Sequence, residues 1–305
     1  MKVLITGSSG LVGSALTDYF VANGDEVIRL LRRSAPAAES PAWDPENGEI
    51  DLAGVRDISA VVHLAGDNLG EGRWNDRKKN SILNSRVKGT KLLSEYFAAI
   101  EQKPNVIVSA SAVGYYGNRG EERVDEASEL GKGFLADVCR QWEEATASAV
   151  DVGIRVANLR LGLILSAEGG ALKKMLLPFR IGLGGVIGSG KQYMSWVSID
   201  DVIGTIQHII ANEALCGPVN LVSPNSVSNR EFTKTLGQVL NRPTIFPMPA
   251  FAARIAFGEM ADELLLSSTR VIPKKLMDSG YEFRHPELGG AFEHLLNMED
   301  NISTL

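Results

Sequence analysis

Three glycines stand at Gly7, Gly10 and Gly13 in the run Thr6-Gly7-Ser8-Ser9-Gly10-Leu11-Val12-Gly13, between an apolar strand and a helical pattern. That spacing suits an anion. One glycine permits a tight turn, a second lets the backbone approach a pyrophosphate, and the third lets the helix pack on the strand. The helix start points unpaired N–H groups and a partial positive charge at the same place. The second strand closes on Leu30-Leu31-Arg32-Arg33-Ser34. Sites for NAD usually carry an acidic residue there, to accept from the ribose hydroxyl. An arginine instead offers a planar fork to the extra 2′-phosphate of NADP. The pattern predicts a dinucleotide site that prefers NADP (NADPH), with a pair of solvated arginines as the plainer reading of Arg32 and Arg33.

The elements that must hold these residues are legible from apolar periodicity. Val3-Leu4-Ile5, Val27-Ile28-Arg29-Leu30-Leu31, Ala60-Val61-Val62-His63-Leu64, Val106-Ile107-Val108 and 156–161 read as strands. Leu11, Val12, Ala15, Leu16, Tyr19 and Phe20 recur at helical spacing up to the stop signal Asn23-Gly24, and 82–100 and 134–150 read as further helices. Strand and helix alternating in this way predict an α/β, doubly wound, mainly parallel Rossmann sheet covered on both faces. Past Leu165 the texture changes. Residues 182–190 are too glycine-dense for a regular element, 200–212 resume as a helix, and Val219-Asn220-Leu221-Val222 can rejoin the sheet. The remainder, broken by Pro243, Pro247, Pro249 and Pro273, reads as a smaller, mainly helical substrate domain with a frayed polar tail over 298–305. The expected division is 1–165 plus 197–223 for the NADP-binding domain and 166–196 plus 224–305 for the small one.

Composition narrows the function classes. The 31 Lys and Arg against 37 Asp and Glu leave a net charge of −6, which argues against a nucleic-acid partner. No segment reads as a signal peptide or a membrane span, so a cytoplasmic location is expected, without a membrane partner. Cys139 and Cys216 are too few for a disulfide scaffold and show no zinc-like spacing. His63, His208, His285 and His294 form no close ligand pair, so no metal is expected.

Beyond the glycine turn, further segments form a set. They are Trp43-Asp44-Pro45, Leu64-Ala65-Gly66, Arg73-Trp74, Ser85-Arg86 and Ser111-Ala112-Val113-Gly114-Tyr115-Tyr116-Gly117. Pro178-Phe179-Arg180-Ile181-Gly182-Leu183-Gly184-Gly185, Gly188-Ser189-Gly190-Lys191-Gln192 and Ile272-Pro273-Lys274-Lys275-Leu276 complete it. From about Met1 to Leu296 the chain resembles the extended short-chain dehydrogenase/reductase superfamily. Within it, the chain is most similar to an atypical subgroup of NAD(P)-dependent epimerase/dehydratase-like proteins of unknown substrate, some labelled cell division inhibitors. The resemblance implies cofactor contacts at Gly7, Gly10, Leu11 and Val12, at Arg32 for the 2′-phosphate, and at Leu64, Ala65, Arg86, Ser109 and Leu163. Arg86, on a helix, also reads as an ordinary exposed charge.

The family pattern breaks at the chemistry. Superfamily enzymes pair a Tyr with a Lys four residues later, the Lys lowering the phenol's pKa, while a Ser orients the substrate hydroxyl. Ser111 matches that Ser, but the helix reads Phe134-Leu135-Ala136-Asp137-Val138-Cys139-Arg140-Gln141-Trp142-Glu143 and holds neither Tyr nor Lys. Tyr115 or Tyr116 could place a phenol near the nicotinamide, or pack at the strand end. Cys139, Asp137 and Glu143 are further substitutes, each with a packing or surface reading beside it. Sugar-nucleotide enzymes typically hold the diphosphate with an Arg two residues after the loop Gln. Here Gln192 is followed by Met194, and a thioether cannot neutralise a diphosphate. Tyr193, Met194 and Trp196 suggest an apolar lining for a small molecule, or core packing, and Arg180 is a possible anion contact. Two functions remain open at this stage. One is an NADP-dependent oxidoreductase or epimerase-like enzyme acting on a small molecule. The other is a non-catalytic NADP(H)-binding redox sensor or regulator. The oligomeric state is not legible.

Overall fold

The computed structural model describes residues 1–32 and 41–302, the last five as backbone only. The first part of the chain forms β1 (Lys2–Thr6), α1 (Leu11–Ala22), β2 (Glu26–Arg32), β3 (Ala42–Asp44), β4 (Glu49–Asp51), β5 (Ala60–His63), α2 (Asp76–Ala99), β6 (Val106–Ala112), β7 (Arg123–Val124), α3 (Phe134–Glu144), α4 (Ala147–Asp151) and β8 (Arg155–Leu161). The second part forms β9 (Leu163–Leu165), α5 (Gly170–Arg180), β10 (Tyr193–Met194), β11 (Trp196–Ser198), α6 (Ile199–Ala211), β12 (Gly217–Leu221), β13 (Val227–Ser228), α7 (Asn229–Val239), α8 (Ala250–Phe257), β14 (Arg270–Val271), α9 (Lys274–Asp278) and α10 (Leu288–Ile302).

Strands alternate side chains between faces, and β1 shows what that does here. Val3 and Ile5 pack with Leu16 and Phe20 of α1 and Val202, Ile206 and Ile209 of α6. Leu4 points the other way, among Leu93 and Phe97 of α2 and Ala149 of α4. Burying each such side chain contributes about 1.5–3 kcal/mol, so the two covered faces fix the sheet between helices. The order is β12-β8-β6-β5-β1-β2-β3-β4, parallel except for the β3–β4 pair. The sheet is the doubly wound one expected from the sequence, and β12 does rejoin it, beside β8. Order reverses between β1 and β5, and their registers put Leu30, Thr6, His63 and Ser109 in one row across the carboxyl ends. Ligands of open α/β sheets bind outside such a reversal.

A second core surrounds Trp196, which is fully buried among Leu172, Leu176 and Phe179 of α5, Phe232 and Leu236 of α7 and Phe292 of α10. The β9–β11 ladder joins it to the sheet layer, β10 pairs with β13 within it, and β7 pairs with β14 beside Tyr116. The segment 274–283 lies back on the sheet, where Leu276, Tyr281 and Phe283 enter the first core.

Three sequence expectations change. The helix over 134–150 is two, because Thr146 folds its hydroxyl back onto the Glu143 carbonyl (2.7 Å) and competes with helix continuation. The β3–β4 hairpin, unseen in the sequence, buries Trp43 edge-on to His63, while Asp44 accepts from the turn amides of Glu46 and Asn47. The tail expected to fray from 298 continues α10 to Ile302, and 303–305 lie outside the described residues, as do Arg33 and Ser34.

Candidate functional site

The turn after β1 is built by exclusion of side chains. Gly7 has φ +67°, and a Cβ there would meet Leu64 and Ala65 backbone at 2.9 Å, so the turn lies directly against the end of β5. A Cβ at Gly13 would stand 2.1 Å from the Gly7 carbonyl oxygen. Helix α1 thus starts as close to the turn as backbone allows. Its N-cap is Gly10, with no capping side chain and no acidic residue in the first turn. Asn75, Ser198 and Ser228 cap α2, α6 and α7 with their own side chains. Helices α5 and α8 also lack a capping side chain; at α1 the uncapped amides open directly onto the Gly7 turn, the arrangement that suits an anion. Leu11 and Val12 are half-buried, Leu11 reaching the Gly169–Gly170 corner before α5. Arg29 on β2 ties the turn down through Ser8 Oγ (3.2 Å), and Arg32 is exposed at the strand's end.

A buried relay fixes the β5 end. The Thr6 hydroxyl accepts from the Leu64 and Ala65 amides (3.2 and 3.3 Å) and stands 2.7 Å from His63 Nδ1, while His63 Nε2 meets the Thr90 hydroxyl at 3.0 Å. With its oxygen accepting, Thr6 donates to Nδ1, which leaves the ring proton on Nε2 for Thr90. Burial drives the His63 pKa from 6.5 down to about 3. The unfolded chain therefore takes a proton below pH 6.5 that the folded chain refuses until about pH 3. Stability is full above that window and falls with pH inside it, by up to about 1.4 kcal/mol per unit from this group. His63→Asn, which keeps hydrogen-bonding capacity, should flatten that slope in denaturant titrations between about pH 4 and 6. An unchanged slope would remove His63 from the account.

Arg86 of α2 is 8% exposed and lies beneath Gly66, where an added Cβ would be 3.4 Å from its guanidinium carbon. It donates to the Ile82 carbonyl (3.1 Å) and lies over the Trp142 ring at 5.0 Å. The nearby carboxylate Asp67 pairs with Lys78 instead (3.0 Å). Burial lowers the Arg86 pKa, and among the described residues no carboxylate pairs with it, the state of a cation that an incoming anion would relieve.

On the other side of the reversal, the candidate catalytic residues fall into one network. Ser111 donates to Glu143 Oε1 (2.7 Å), and Arg160 grips both Glu143 oxygens (2.8 and 2.9 Å). Arg160 also donates to Tyr116 OH (2.9 Å), which donates to Asn220 Oδ1 (2.7 Å). Tyr116 is fully buried, and burial pushes its pKa up to about 12. Tyr115 is half-buried with its ring 3.4 Å from the Arg160 guanidinium carbon. Among the described residues, nothing hydrogen-bonds its hydroxyl. Ser109 is wholly buried in β6, beside His63 in the sheet. Cys139 is buried, its thiol pushed up to about 12 by burial and then by Glu143. Cys216 is exposed. Iodoacetamide at about pH 8 should therefore label one thiol in the folded protein and two after unfolding. Rapid labelling of Cys139 in the folded state would contradict this burial.

The residues read as substrate contacts lie in the second layer. The Gln192 amide donates to the Ile187 and Leu265 carbonyls (both 3.0 Å), and Met194 Sδ accepts from Asn229 (3.5 Å). Trp196 donates to the Asn225 carbonyl (2.9 Å) from inside the core. Leu163 pairs with Trp196 in register. Arg180 is exposed at the end of α5, its carbonyl accepting from Arg242 (2.7 Å). Gln192 and Met194 spend their polar atoms holding the glycine-rich loop together and to α7, and Trp196 lies in the second core.

Sequence reading missed two groupings. The Thr6–His63–Thr90 relay and the Arg160–Asn220 half of the network join positions far apart in the chain, and no local pattern marks them. The reading that the histidines form no close pair is corrected. His285 and His294 stack with ring centroids 4.4 Å apart, because the Arg284 and His285 amides donate to buried Asp201 (2.7 and 3.0 Å) and aim the start of α10 at α6.

A turn of this kind at the reversal of a doubly wound sheet is the arrangement of the dinucleotide-binding class of α/β proteins. Residues 3–221 match the NAD dependent epimerase/dehydratase family, and the chain belongs to that family, as an atypical short-chain dehydrogenase/reductase. Residues 248–295 match a domain of unknown function, DUF1731. The chain is 45% identical over 289 residues to the epimerase family protein MT2273 of Mycobacterium tuberculosis, covering 95% of each. It is 35% identical to human epimerase family protein SDR39U1, over 97% of this chain and 100% of that one. The crystal structure of human SDR39U1 (isoform 2) with NADPH superposes with a TM-score of 0.88 at 34% identity, covering 97% of this chain and 99% of that chain. No described helix is long and apolar enough to cross a membrane.

Proposed function

We propose that this chain binds NADPH across the β1/β5 reversal and acts on a small molecule as an NADP-dependent oxidoreductase or epimerase-like enzyme. The observation that carries the reading is the α1 terminus, uncapped and pressed against Gly7. Gly7, Gly10, Leu11 and Val12 would hold the pyrophosphate side, Arg32 the 2′-phosphate, and Leu64, Ala65, Ser109 and Leu163 the length of the nucleotide. Arg86 would give its unpaired charge to a phosphate. The NADPH-bound human relative supports the same choice of nucleotide. When bound, the nicotinamide supplies or accepts hydride. Proton transfer falls to this chain, and Tyr115 is the group for it, since Ser111 and Tyr116 already serve Glu143, Arg160 and Asn220. Arg180, Gln192, Met194 and Trp196 shape the wall on the second layer, directly or by holding the loop. The two-domain division by residue ranges and a cytoplasmic location belong to the same proposal.

Arg32→Asp tests the nucleotide choice. Losing a charge-assisted contact of about 1.5–3 kcal/mol should weaken NADPH binding about 10- to 100-fold and leave NADH within about threefold. Equal losses for both nucleotides would dismiss the 2′-phosphate assignment. A second reading, a non-catalytic NADP(H) sensor, is favoured by the consumed hydroxyls of Ser111 and Tyr116. A sensor must bind NADP⁺ and NADPH with different free energies. Equal affinities, with turnover of any carbonyl or alcohol, would exclude it.

A further inference from the structure

Away from the dinucleotide cleft, three potential ligands converge where α10 meets α6. Asp200 follows the first residue of α6, His285 lies just before α10, and His294 sits on α10. Among the described residues, Asp200 Oδ2 is enclosed and accepts no hydrogen bond, although His294 Nε2 stands 3.3 Å away and His285 Nε2 3.8 Å away. One ligand atom from each residue lies within 4.8 Å of the other two. Two imidazole nitrogens close to an oxygen to which neither donates mark out, with it, three corners of a coordination shell.

The distances suit a specific class of ion. Ligands about 2.0–2.2 Å from a tetrahedral zinc lie about 3.3–3.5 Å from one another. The His294–Asp200 separation of 3.3 Å already meets that, and the His285–Asp200 separation of 3.8 Å needs a small inward shift. The frame around the site is fixed before any ion arrives. Asp201 holds the His285 amide, Ser223 donates to the Pro286 carbonyl (2.7 Å), and Asn225 donates to Glu287 (2.7 Å). Imidazole nitrogens favour zinc, cobalt, nickel or copper over magnesium or calcium, which want more oxygen ligands.

We propose that Asp200, His285 and His294 form a binding site for a zinc-class divalent cation that staples α10 to α6. The cation joins the two cores, because α10 packs on α7 through Phe292 and Phe232 (ring centroids 5.1 Å apart) while α6 covers the sheet. Its place outside the cleft makes the role structural, and it stands whether or not NADPH is the nucleotide.

The test is titration of the full chain, stripped with chelator and carrying Cys216→Ser to remove the exposed thiol, with Zn²⁺ and then with Co²⁺. One equivalent of Zn²⁺ should bind and raise the Tm, and Co²⁺ should give visible d–d absorption of a four-coordinate site. Asp200→Asn and His294→Gln should each weaken binding at least about tenfold. Both should keep the far-UV spectrum and Tm of the chelated parent. Should one variant fail to fold, the other carries the comparison, and Co²⁺ absorption of the parent reports the ligand set independently. No saturable binding up to about 1 mM, or variants that bind as the parent does, would overturn the site.

Discussion

Glu143→Ala is expected to destabilise the folded protein by about 3–5 kcal/mol, because it removes one partner of a buried ion pair and leaves the other uncompensated. Arg160 is 3% exposed and Glu143 12%, and the pair is bidentate. Losing the carboxylate leaves the guanidinium the Tyr116 hydroxyl and the Tyr115 ring but no opposite charge among the described residues, and frees the Ser111 hydroxyl, whose acceptor has gone. Denaturant unfolding should show a lower midpoint with an unchanged slope. The double variant Glu143→Leu with Arg160→Met should recover much of the loss, since a packed apolar pair can replace a buried ionic one. A loss below about 1 kcal/mol in the single variant would mean that the network does not hold the β6–β8 ends together.

The second large effect lies at Gly13. Gly13→Ala places a methyl 2.1 Å from the Gly7 carbonyl oxygen and 2.7 Å from Ser8 Cα, both backbone atoms that cannot swing aside. Overpacking of this kind costs about 1–3 kcal/mol or more, and the only relief is for α1 to draw back from the turn. Dinucleotide binding should then fall much further than stability does. Gly290→Ala on α10, where a Cβ meets open space, is the matched control and should stabilise by about 0.5–1 kcal/mol. If the Gly13 variant binds nucleotide like the parent, the interlock between turn and helix is not what forms the site.

How much could be read beforehand follows from the reach of each signal. The sheet was legible because Val3-Leu4-Ile5, Ala60-Val61-Val62 and Val106-Ile107-Val108 are continuous apolar runs, as strands buried on both faces require. The turn was legible because its glycines answer steric demands within one short segment. The β3–β4 hairpin was not, since three-residue strands are too short to show a repeated alternation. Ser111 and Tyr116 were legible as polar groups at the end of β6, but their partners Glu143, Arg160 and Asn220 arrive from α3, β8 and β12. Trp196 reads equally as a stacking surface or a core residue until packing decides, and it is buried. His285 and His294 meet because Asp201, distant in the chain, bends the backbone between them and α6.

Calorimetric titration of the nucleotide-stripped protein with NADPH and with NADH tests most directly whether the α1 amides receive a dinucleotide. One equivalent of NADPH should bind, at least about tenfold more tightly than NADH. Failure of the folded protein to bind either nucleotide, or NADH binding as tightly as NADPH, would contradict it.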